Sequence, residues 1–388
     1  MSSPMYEHIL SILREDIKNG KYRIGDRVPS EKELADEYGV SRITSKKALE
    51  LLSAEGVIVR RPGRGSFVAD PKEQAAVVPQ GGVRAETGAA KAAGKPLIGL
   101  VITDFADSYG TGLIYGMEEA SRRNDCYLVV RRTFGNPALE EEAIKGMLEI
   151  GAGGLIILPA QGEYFNAQIL KLVIHGFPFV LVDRHLKGIS AGSISTDNVA
   201  GAKRGTDYLF ELGHRHIALL TPPPQDTTAV EDRIEGFVEA HAEKGIPIDR
   251  DLWIEDITST LPNAFNEENR AKDILKLKQH LQRIPHITAV FAIEYNIALL
   301  AREAAAQLGL AVPKDLSILC FDCPEVGGAF PFTHLRQQQE EMGRQAFVHV
   351  LELMEGLAAP NRNKLEAVLV PGDSTAPAPA APRRAKTS

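Results

Sequence analysis

Residues 39–68 read GVSRITSKKALELLSAEGVIVRRPGRGSFV, and this stretch decides the fold of the N-terminal part of the chain. The hydroxyl of Ser41 can accept a hydrogen bond from an orphan backbone N–H, which predicts the N-cap of a helix. Small and apolar residues at helical spacing predict one buried face: Ser45, Ala48, Leu49 and Leu52. The opposite face carries Arg42, Lys46 and Lys47. A basic face of this kind is ordinarily a solvated surface, so its neighbours must decide whether it binds a polyanion.

Two further helices precede this one. An apolar residue at every fourth position predicts an amphipathic helix over residues 5–19. Ser30 and Glu33 form a capping box, which opens a second helix that ends at Gly39. Because only two residues separate it from Ser41, the pair predicts a helix-turn-helix whose second helix is basic.

A predicted β-hairpin follows the basic helix. Residues 57–68 form two β-prone runs around a Pro-Gly-Arg-Gly turn. From position 42 to position 64 there are six basic residues against Glu50 and Glu55: Arg42, Lys46, Lys47, Arg60, Arg61 and Arg64. Basic charge concentrated on the second helix and the wing indicates a DNA-facing surface and not a merely solvated one.

Residues 28–68, VPSEKELADEYGVSRITSKKALELLSAEGVIVRRPGRGSFV, resemble the winged-helix domain of GntR-family repressors, and the resemblance covers nearly all of residues 5–70. It implies that Arg42 reads a base edge in the major groove. It also implies phosphate contacts at the start of each of the two helices and a wing in the minor groove. The expected DNA-binding residues are Ser30, Glu31, Arg42, Thr44, Lys46, Lys47, Arg61, Gly63, Arg64, Gly65 and Ser66.

This chain departs from the GntR pattern at two positions. Ser45 stands where the family commonly has a β-branched apolar residue, and Lys46 stands where it commonly has arginine. Lysine cannot make the planar two-pronged contact to guanine that arginine makes. The base that the family reads at this position therefore cannot be assigned to Lys46.

Composition limits the classes of protein. The chain has 388 residues, 44% of them hydrophobic and 24% charged, which fits two or three globular domains. A net charge of −7 means that any anion-binding surface must be local. No apolar run has membrane-spanning length, and the first residues lack the layout of a signal peptide. Three cysteines favour reduced thiols in a cytoplasmic protein without membrane contact.

Two stretches of biased composition divide the chain. The Ala- and Gly-rich residues 72–95 predict a flexible linker, and the Pro- and Ala-rich residues 372–388 predict a disordered tail. The expected domains are therefore a winged helix-turn-helix at 1–71 and an effector and dimerisation domain at 96–371.

From Pro96 onward apolar runs alternate with helical patterns. The runs are 97–103, 126–132, 154–160, 177–183, 216–222, 287–293 and 316–322, and helical patterns such as 111–123, 198–212 and 296–308 separate most of them. This alternation predicts an α/β fold with parallel sheets. Ligands of such sheets bind beyond the carboxyl ends of the strands, where this chain places carboxylates and arginines. Those groups suit a polyhydroxylated ligand.

Three enzyme-like motifs stand in the wrong context. Gly110-x-Gly112 has its third glycine one residue late for a dinucleotide fingerprint. GISAG at 188–192 is followed by an extended pattern, whereas a nucleophile elbow needs a helix. Cys320 and Cys323 lack a second pair for zinc and a helix for a redox motif. We therefore expect no catalytic residue, no metal site and no cofactor; His214 and His216 are expected to be surface and turn residues.

A second resemblance covers the whole central part. It lies in STDNVAGAKRGTDYLFELGHRHIALL (195–220), DRIEGF (232–237), LSILCFD (316–322) and FTHLRQQQEEMGRQA (332–346). These segments look like the two-lobed effector domain of LacI/GalR repressors, which is related to periplasmic sugar-binding proteins. With the GntR-type head, the arrangement is similar to AraR-type arabinose repressors. The resemblance implies a ligand site formed by Asp104, Tyr109, Asp183, Arg184, Arg233, Glu294, Tyr295 and Asp322.

The resemblance implies that Arg233 and Asp322 hold sugar hydroxyls. The alternative for Arg233 is an ion pair with a carboxylate of its own helix. Glu294-Tyr295 stands where the family usually has an Asn-Asp pair, so the identity of the sugar does not carry over.

The sequence thus predicts a homodimeric transcription repressor that binds operator DNA with inverted half-sites and leaves it when a sugar binds. Residues 72–95 lack the hinge-helix pattern of LacI-type relatives. We therefore expect a flexible tether to connect head and core, and sugar binding to change operator affinity only modestly. Two alternatives stay open: a carbohydrate-acting enzyme on the α/β core, and a constitutive DNA binder with a vestigial core.

Overall fold

The computed structural model describes residues 5–40, 42–54, 57–61, 65–68, 95–160, 166–189, 191–225, 227–357 and 361–380. Its contacts divide the chain into two compact units, Met1–Ala92 and Ala93–Ser388. The predicted linker at 72–95 lies outside the described residues except for Lys95.

The first unit contains three helices and a small antiparallel sheet. Its elements are α1 (Met5–Lys18), β1 (Arg27–Val28), α2 (Glu31–Tyr38), α3 (Arg42–Ala54), β2 (Ile58–Arg61) and β3 (Gly65–Val68), with strand order β1-β3-β2. The capping box is confirmed: Ser30 Oγ accepts from the Glu33 N–H at 3.3 Å, and Glu33 Oε2 accepts from the Ser30 N–H at 2.6 Å. Ala48, Leu49 and Leu52 are fully buried against α1, α2 and the sheet, so the predicted helix-turn-helix and hairpin are confirmed.

The second unit alternates strands and helices. Its elements in chain order are β4 (Leu97–Ile102), α4 (Thr111–Arg123), β5 (Tyr127–Arg132), α5 (Pro137–Glu149), β6 (Gly154–Ile157), α6 (Ala167–Ile174), β7 (Phe179–Asp183), β8 (Gly192–Thr196), α7 (Asn198–Glu211), β9 (Ile217–Leu220), α8 (Thr228–Lys244), a 3-10 turn (Arg250–Leu252), α9 (Glu267–Arg283), β10 (Ala289–Ala292), α10 (Tyr295–Gln307), β11 (Ser317–Phe321), β12 (Thr333–Arg336), α11 (Gln339–Met354), β13 (Arg362–Leu365) and β14 (Val368–Val370).

These elements form two lobes, each built on its own sheet. The first lobe has six parallel strands in the order β13-β8-β7-β6-β4-β5, with apolar cores on both faces. The second lobe has the order β14-β12-β11-β10-β9, parallel except for β14. The two-lobed α/β prediction is confirmed. The pattern of hydrophobic residues missed four short strands: β8, β12 and β13 carry no continuous apolar run, and the run of β14 is only three residues long.

The chain passes between the lobes three times, and the three passages are hydrogen-bonded to one another. The Thr196 hydroxyl donates to Gln337 Oε1 at 2.6 Å, which joins the first passage to the second. The Asp197 N–H donates to the Leu365 carbonyl at 2.8 Å, which joins the first to the third. We call these three adjacent passages the hinge; a cleft lies between the lobes beside it.

The glycines after β4 serve turn formation and helix packing. Gly110 has a φ of +97°, which favours glycine. A side chain at Gly116 on α4 would collide with the Glu340 carbonyl, and one at Gly343 on α11 would collide with the Leu113 carbonyl. These glycines therefore let α4 and α11 pack closely. That contact explains the glycine spacing without a dinucleotide site.

The predicted disordered tail is wrong for residues 372–380, which lie in the described part of the chain. The Ile318 N–H donates to the Ser374 carbonyl at 2.8 Å, and the Thr333 N–H donates to Ser374 Oγ at 2.9 Å. A segment rich in proline and alanine can be ordered when a sheet supplies hydrogen-bond partners. Residues 381–388 lie outside the described residues.

The prediction that His214 is a surface residue is also wrong. Its ring is buried: Nδ1 bonds the Thr288 hydroxyl at 2.9 Å, and Nε2 bonds the Ala376 carbonyl at 3.0 Å. Burial lowers the pKa of His214, so the ring joins the C-terminal segment to the second lobe as a neutral imidazole. His216 is exposed, as expected.

Candidate ligand-binding cleft and DNA-binding face

One cavity of about 310 Å³ lies between the two lobes. All eight residues of the expected ligand site line it: Asp104, Tyr109, Asp183, Arg184, Arg233, Glu294, Tyr295 and Asp322. They come together because strands β4, β7, β10 and β11 end at this edge, as parallel sheets require. The volume is at the lower end of the usual range for small-molecule sites, roughly 300–1,000 Å³.

Arg233 on α8 is held by neutral groups, not by a carboxylate of its own helix. Its Nε donates to Asn198 Oδ1 at 2.8 Å, and Nη1 donates to the Ile293 carbonyl at 2.6 Å. The guanidinium group lies over the Phe321 ring, 3.9 Å from its centroid. The alternative of an ion pair within α8 is therefore wrong. The buried cation is oriented while its charge remains available to the cleft.

Asp322 is 6% exposed, at the carboxyl end of β11. Gln337 donates to it twice, from its backbone N–H at 3.2 Å and from Nε2 at 2.6 Å. Burial raises the pKa of Asp322 to about 6, although these hydrogen bonds and the nearby Arg233 charge oppose the rise. Because Gln337 also accepts from Thr196, this carboxylate is connected directly to the hinge.

Asp183 is the centre of a second cluster of polar side chains. The Tyr109 hydroxyl donates to Asp183 Oδ1, and Arg184 Nε lies 3.2 Å from Asp183 Oδ2. The pKa of Tyr109 is raised well above its usual value by burial and by the Asp183 charge, so its hydroxyl stays protonated. Asp183 and Asp322 both have left-handed φ values, +72° and +55°, which turn each strand end toward the cleft.

The two residues at which this chain departs from the LacI/GalR pattern differ in their surroundings. Glu294 Oε1 is buried and has no hydrogen-bond partner among the described residues. Burial raises the pKa of Glu294, opposed by the Thr260 hydroxyl and by the charges of Arg233 and Arg184. The Tyr295 ring packs edge-on against Phe332, with 5.9 Å between centroids. The Tyr295 ring therefore packs against the core, whereas Glu294 leaves one carboxyl oxygen, Oε1, without a geometric hydrogen bond.

Contacts between the lobes close both rims of the cleft. On one rim Asn263 Nδ2 of the second lobe donates to the Phe134 carbonyl of the first, at 3.4 Å. On the other, Lys187 Nζ of the first lobe lies 2.5 Å from Glu231 Oε2 of the second. The two lobes therefore touch at both rims of the cleft, which stays open to solvent at one side. Asp104 lies at its mouth, half exposed, with Arg132 Nε 3.5 Å from its carboxylate.

Four residues that line or orient the site escaped the sequence analysis: Asn198, Thr260, Asn263 and Gln337. Asn198 and Gln337 lie within the two quoted segments that cross the hinge, and their position there was a signal that could have found them. Thr260 and Asn263 lie in a loop before α9 that has no distinctive pattern. Their place in the site depends on the packing of the second lobe.

The expected DNA-binding residues lie on three elements of the first unit. Ser30 and Glu31 are at the start of α2, and Arg42 and Thr44 are in the first turn of α3. Lys46 is exposed in the next turn, while Ser45 between them is fully buried, as its small size allows. The structure describes the backbone but not the side chains of Glu31, Arg42, Lys47 and Arg61.

The wing is described only on its two strands. Arg61 and Gly65 pair at the ends of β2 and β3, and Gly65 has a φ of +106°. Gly63 and Arg64, expected at the tip, lie outside the described residues. Ser66 is 5% exposed, so its burial does not favour the predicted side-chain contact to DNA.

The described residues contain no cluster of three His, Cys, Asp or Glu side chains that could hold a metal ion. Cys320 and Cys323 are buried thiols without a disulfide bond, and burial raises the pKa of both. Ser190 of the GISAG segment lies outside the described residues, but strand β8 and not a helix follows it. No helix in the described ranges is both long and apolar enough to cross a membrane.

Comparisons with known proteins agree with both units. Residues 5–68 match the family "Bacterial regulatory proteins, gntR family", and residues 206–375 match the "Periplasmic binding protein-like domain". The arabinose metabolism transcriptional repressor of Geobacillus stearothermophilus is 29% identical over 359 residues, which cover 91% of this chain and 92% of that protein. The ribose operon repressor of Haemophilus influenzae is 26% identical over 276 residues, which cover 71% of this chain and 78% of that protein.

Solved structures share the fold. The transcriptional regulator CelR in complex with cellobiose has a TM-score of 0.64 at 22% identity, covering 89% of this chain and 100% of that one. The dimeric Lac repressor with an 11-residue C-terminal deletion has a TM-score of 0.62 at 20% identity, and the match covers 73% of this chain and 100% of that one.

Proposed function

We propose that this chain, a DNA-binding transcriptional repressor that joins a GntR-type head to a LacI/GalR-type effector domain, leaves its operator when a neutral sugar binds in the interlobe cleft. The cleft itself carries the proposal. Its carboxylates accept hydrogen bonds and its guanidinium groups donate them, which is the pairing that ring hydroxyls need. The arabinose repressor of Geobacillus stearothermophilus and the CelR–cellobiose complex support a sugar as the ligand class.

The charge of the cleft favours a neutral ligand. Four carboxyl groups line it, against two guanidinium groups and no lysine or histidine: Asp104, Asp183, Glu294 and Asp322 against Arg184 and Arg233. A phosphate group would have to enter a cavity in which negative groups outnumber positive ones. A desolvated phosphate would be strongly disfavoured there, because buried charges need compensating partners. An unphosphorylated sugar meets no such penalty.

Arg233 and Asp322 are the groups that we assign to sugar hydroxyls, and Asp183 with Tyr109 lines the opposite lobe. Because Asp322 bonds Gln337 at the hinge, a ligand that contacts it stabilises one arrangement of the lobes. Ligand binding would in this way select the closed cleft. The same closure would change how the two heads of a dimer are presented to DNA.

For the head we propose that Arg42 reads a base and that Thr44, Ser30 and Glu31 lie at the phosphate backbone. The position of Arg42 in the first turn of α3 supports this, because recognition helices contact bases through their N-terminal residues. Lys46, Lys47, Arg61, Gly63, Arg64 and Gly65 would complete the interface, and Ser66 would support the wing from its buried position.

A symmetric dimer would offer two equivalent heads, so we propose inverted half-sites in the operator. We propose no catalysis, since the polar groups of the cleft are used to hold one another in place. A repressor of this kind acts on the chromosome, which places it in the cytoplasm.

A thermal-shift screen of pentoses, hexoses and their phosphates tests the ligand class, because a ligand bound by the native state raises its melting temperature. We expect a neutral sugar to stabilise the protein and its phosphate to have no effect. Stabilisation by phosphates alone, or by no sugar in the screen, would contradict the proposal.

A further inference from the structure

One rim of the cleft is formed by opposite charges from the two lobes. Lys187 Nζ, in the loop between β7 and β8, lies 2.5 Å from Glu231 Oε2 on α8. Lys364 Nζ on β13 lies 4.0 Å from Oδ2 of Asp232, the next residue of α8. The two cations belong to the first lobe and the two carboxylates to the second. None of these four residues lines the cavity, so the ion pairs are separate from the ligand site.

Further charged side chains extend both sides of this contact. Arg362 is exposed on β13 and lies close enough to act on His185, while Glu235 is exposed one turn along α8 and acts on Asp232. Burial and the neighbouring cations lower the pKa of His185, against the opposing effect of Asp232, so its ring adds no charge at neutral pH. Among the described residues of this rim, three cations of the first lobe thus face three carboxyl groups of the second.

These ion pairs are accessible to solvent, unlike most charges of the cleft. The Lys187 side chain is 70% exposed and that of Lys364 is 48% exposed, whereas Arg233 is 8% exposed. Exposed ion pairs are weak individually and are screened by salt. The described hydrogen bond at the other rim, from Asn263 to the Phe134 carbonyl, joins neutral groups. Salt should therefore weaken the contact between the lobes at the charged rim in particular.

The acidic side of the contact lies on the helix that carries Arg233. Glu231 and Asp232 directly precede Arg233, whose bonds to Asn198 and the Ile293 carbonyl fix it to the rest of the second lobe. Attraction between the charged side chains therefore brings the cleft face of α8 toward the first lobe. Ligand affinity is reduced by the fraction of protein in a conformation that cannot bind. Charges at the rim can in this way strengthen binding without touching the ligand.

We propose that the pairs Lys187–Glu231 and Lys364–Asp232 form an electrostatic latch, which raises the population with the lobes in contact before any ligand binds and makes the response to the ligand depend on ionic strength. The latch does not depend on which ligand the cleft binds. Only the second of its two tests uses the proposed sugar.

The first test measures the distance between the lobes without a ligand. Nitroxide labels on Glu142→Cys of α5 and Glu239→Cys of α8, both exposed positions, report this distance by double electron–electron resonance. The native thiols are buried, which protects them from the label. Full-length labelled protein is mixed with excess unlabelled protein, so that pairs of labels on different chains do not contribute.

The labelled background carries either no further change, Lys187→Glu, or the charge swap Lys187→Glu with Glu231→Lys. Glu243→Lys is the matched control, because Glu243 lies on the same helix but pairs with Lys203 of its own lobe, at 2.8 Å. The swap distinguishes an electrostatic role from a merely structural one, since it restores opposite charges with both side chains changed.

In the wild type we expect mainly the shorter distance at about 0.05 M salt and a larger share of a longer one at about 0.5 M. Lys187→Glu should show the longer distance already at low salt, because two carboxylates then face each other. The swap should return the distribution to that of the wild type, and Glu243→Lys should not alter it. A distribution that Lys187→Glu leaves unchanged, or that the swap fails to restore, would overturn the latch.

The second test is calorimetry with the sugar that the thermal-shift screen selects. Lys187→Glu should weaken binding about threefold at low salt, the modest size expected of exposed charges, and less at high salt. The swap should restore the affinity. Equal affinity of the wild type and Lys187→Glu at low salt would contradict the latch and leave the sugar-binding proposal standing. If no sugar binds the wild type, the proposed function is wrong, and the distance measurement still decides whether the latch exists.

Discussion

The head and the interlobe cleft recognise their partners by opposite physical means. The expected DNA face carries cationic residues on the helix and wing of a small unit, with Lys46 exposed to solvent. The cleft buries most of its charges, and four of them are bonded to neighbouring polar groups before a ligand arrives: Asp183, Arg184, Arg233 and Asp322. Charges in water are screened by salt, whereas buried ones are screened little.

This difference predicts how each region responds to substitutions and to salt. Removing one cation from an exposed surface loses a modest, salt-dependent contribution. Removing one member of a buried network loses its own contacts and also leaves its partners unpaired. Single substitutions should therefore be more damaging in the cleft than in the head, and salt should distinguish the two.

The largest effect should follow from Arg233→Ala. It deletes a buried cation and leaves Asn198 Oδ1 and the Ile293 carbonyl without their donors. We expect sugar affinity to fall about 100-fold or more, in line with the loss of charged hydrogen bonds at about 1.5–3 kcal/mol each. Calorimetry measures it, with Arg122→Ala as control, since Arg122 is an exposed residue paired with Glu118. Unchanged affinity in Arg233→Ala would move the ligand site elsewhere.

A smaller effect is expected from Arg42→Ala in the head. Loss of a base contact should weaken operator binding by about 1–3 kcal/mol and relax the preference at one position of each half-site. Selection of binding sites from a random pool, followed by titration of the best duplex, measures both quantities. Equal affinity and equal preference in the variant and the wild type would contradict the assignment of α3 as the reading helix.

The cleft should also respond to pH through Asp322, whose pKa burial raises to about 6. Sugar hydroxyls donate to the ionised carboxylate, so binding favours ionisation. Affinity should be full above about pH 7 and fall severalfold as pH drops through about 6, because a proton must then be removed for binding. Calorimetry across this range should show the fall in the wild type and a flat profile in Asp322→Asn.

The raised pKa of Asp322 also makes the stability of the folded protein depend on pH. The folded pKa of Asp322 lies above its unfolded value of 3.8, so the native state binds more protons between the two values. The contribution of Asp322 to stability is then greatest at low pH and is lost as pH rises from about 4 to about 6. The melting temperature of the ligand-free wild type should decline relative to Asp322→Asn over that window. A parallel course for both proteins would mean that Asp322 has no raised pKa.

The smallest effect should come from Arg64→Ala, at the expected tip of the wing. A contact to the phosphate backbone carries no sequence preference, so binding to all duplexes should weaken by a similar factor. The slope of log affinity against log salt should fall in magnitude by about 1. Sugar affinity should not change. A loss confined to one base position would show that Arg64 reads sequence instead.

Much of the fold could be predicted because local sequence patterns, such as helix caps and apolar runs, determine its helices and strands. The capping box at Ser30 and Glu33 begins α2, and apolar runs mark seven of the strands of the two lobes. The strand-end position of Asp183, Glu294 and Asp322 brought the cleft residues together, as the order of a parallel sheet dictates.

The rest depended on contacts between distant segments. His214 became a core residue because Thr288 and Ala376 supply partners that no local pattern reveals. Thr260 entered the cleft through the packing of its loop on Asp273. The left-handed backbone at Asp183 and Asp322 could not be predicted, because it is enforced by tertiary structure at residues that usually avoid it.

The most direct test of the account is operator affinity with and without a saturating neutral sugar, measured by fluorescence anisotropy on the selected duplex for the wild type and Arg233→Ala. The account predicts that the sugar weakens operator binding by the wild type about 5–150-fold, the usual range of allosteric coupling, and leaves Arg233→Ala unaffected at its normal ligand-free affinity. Operator binding that the sugar leaves unchanged or tightens in the wild type, or that it weakens equally in Arg233→Ala, would contradict it.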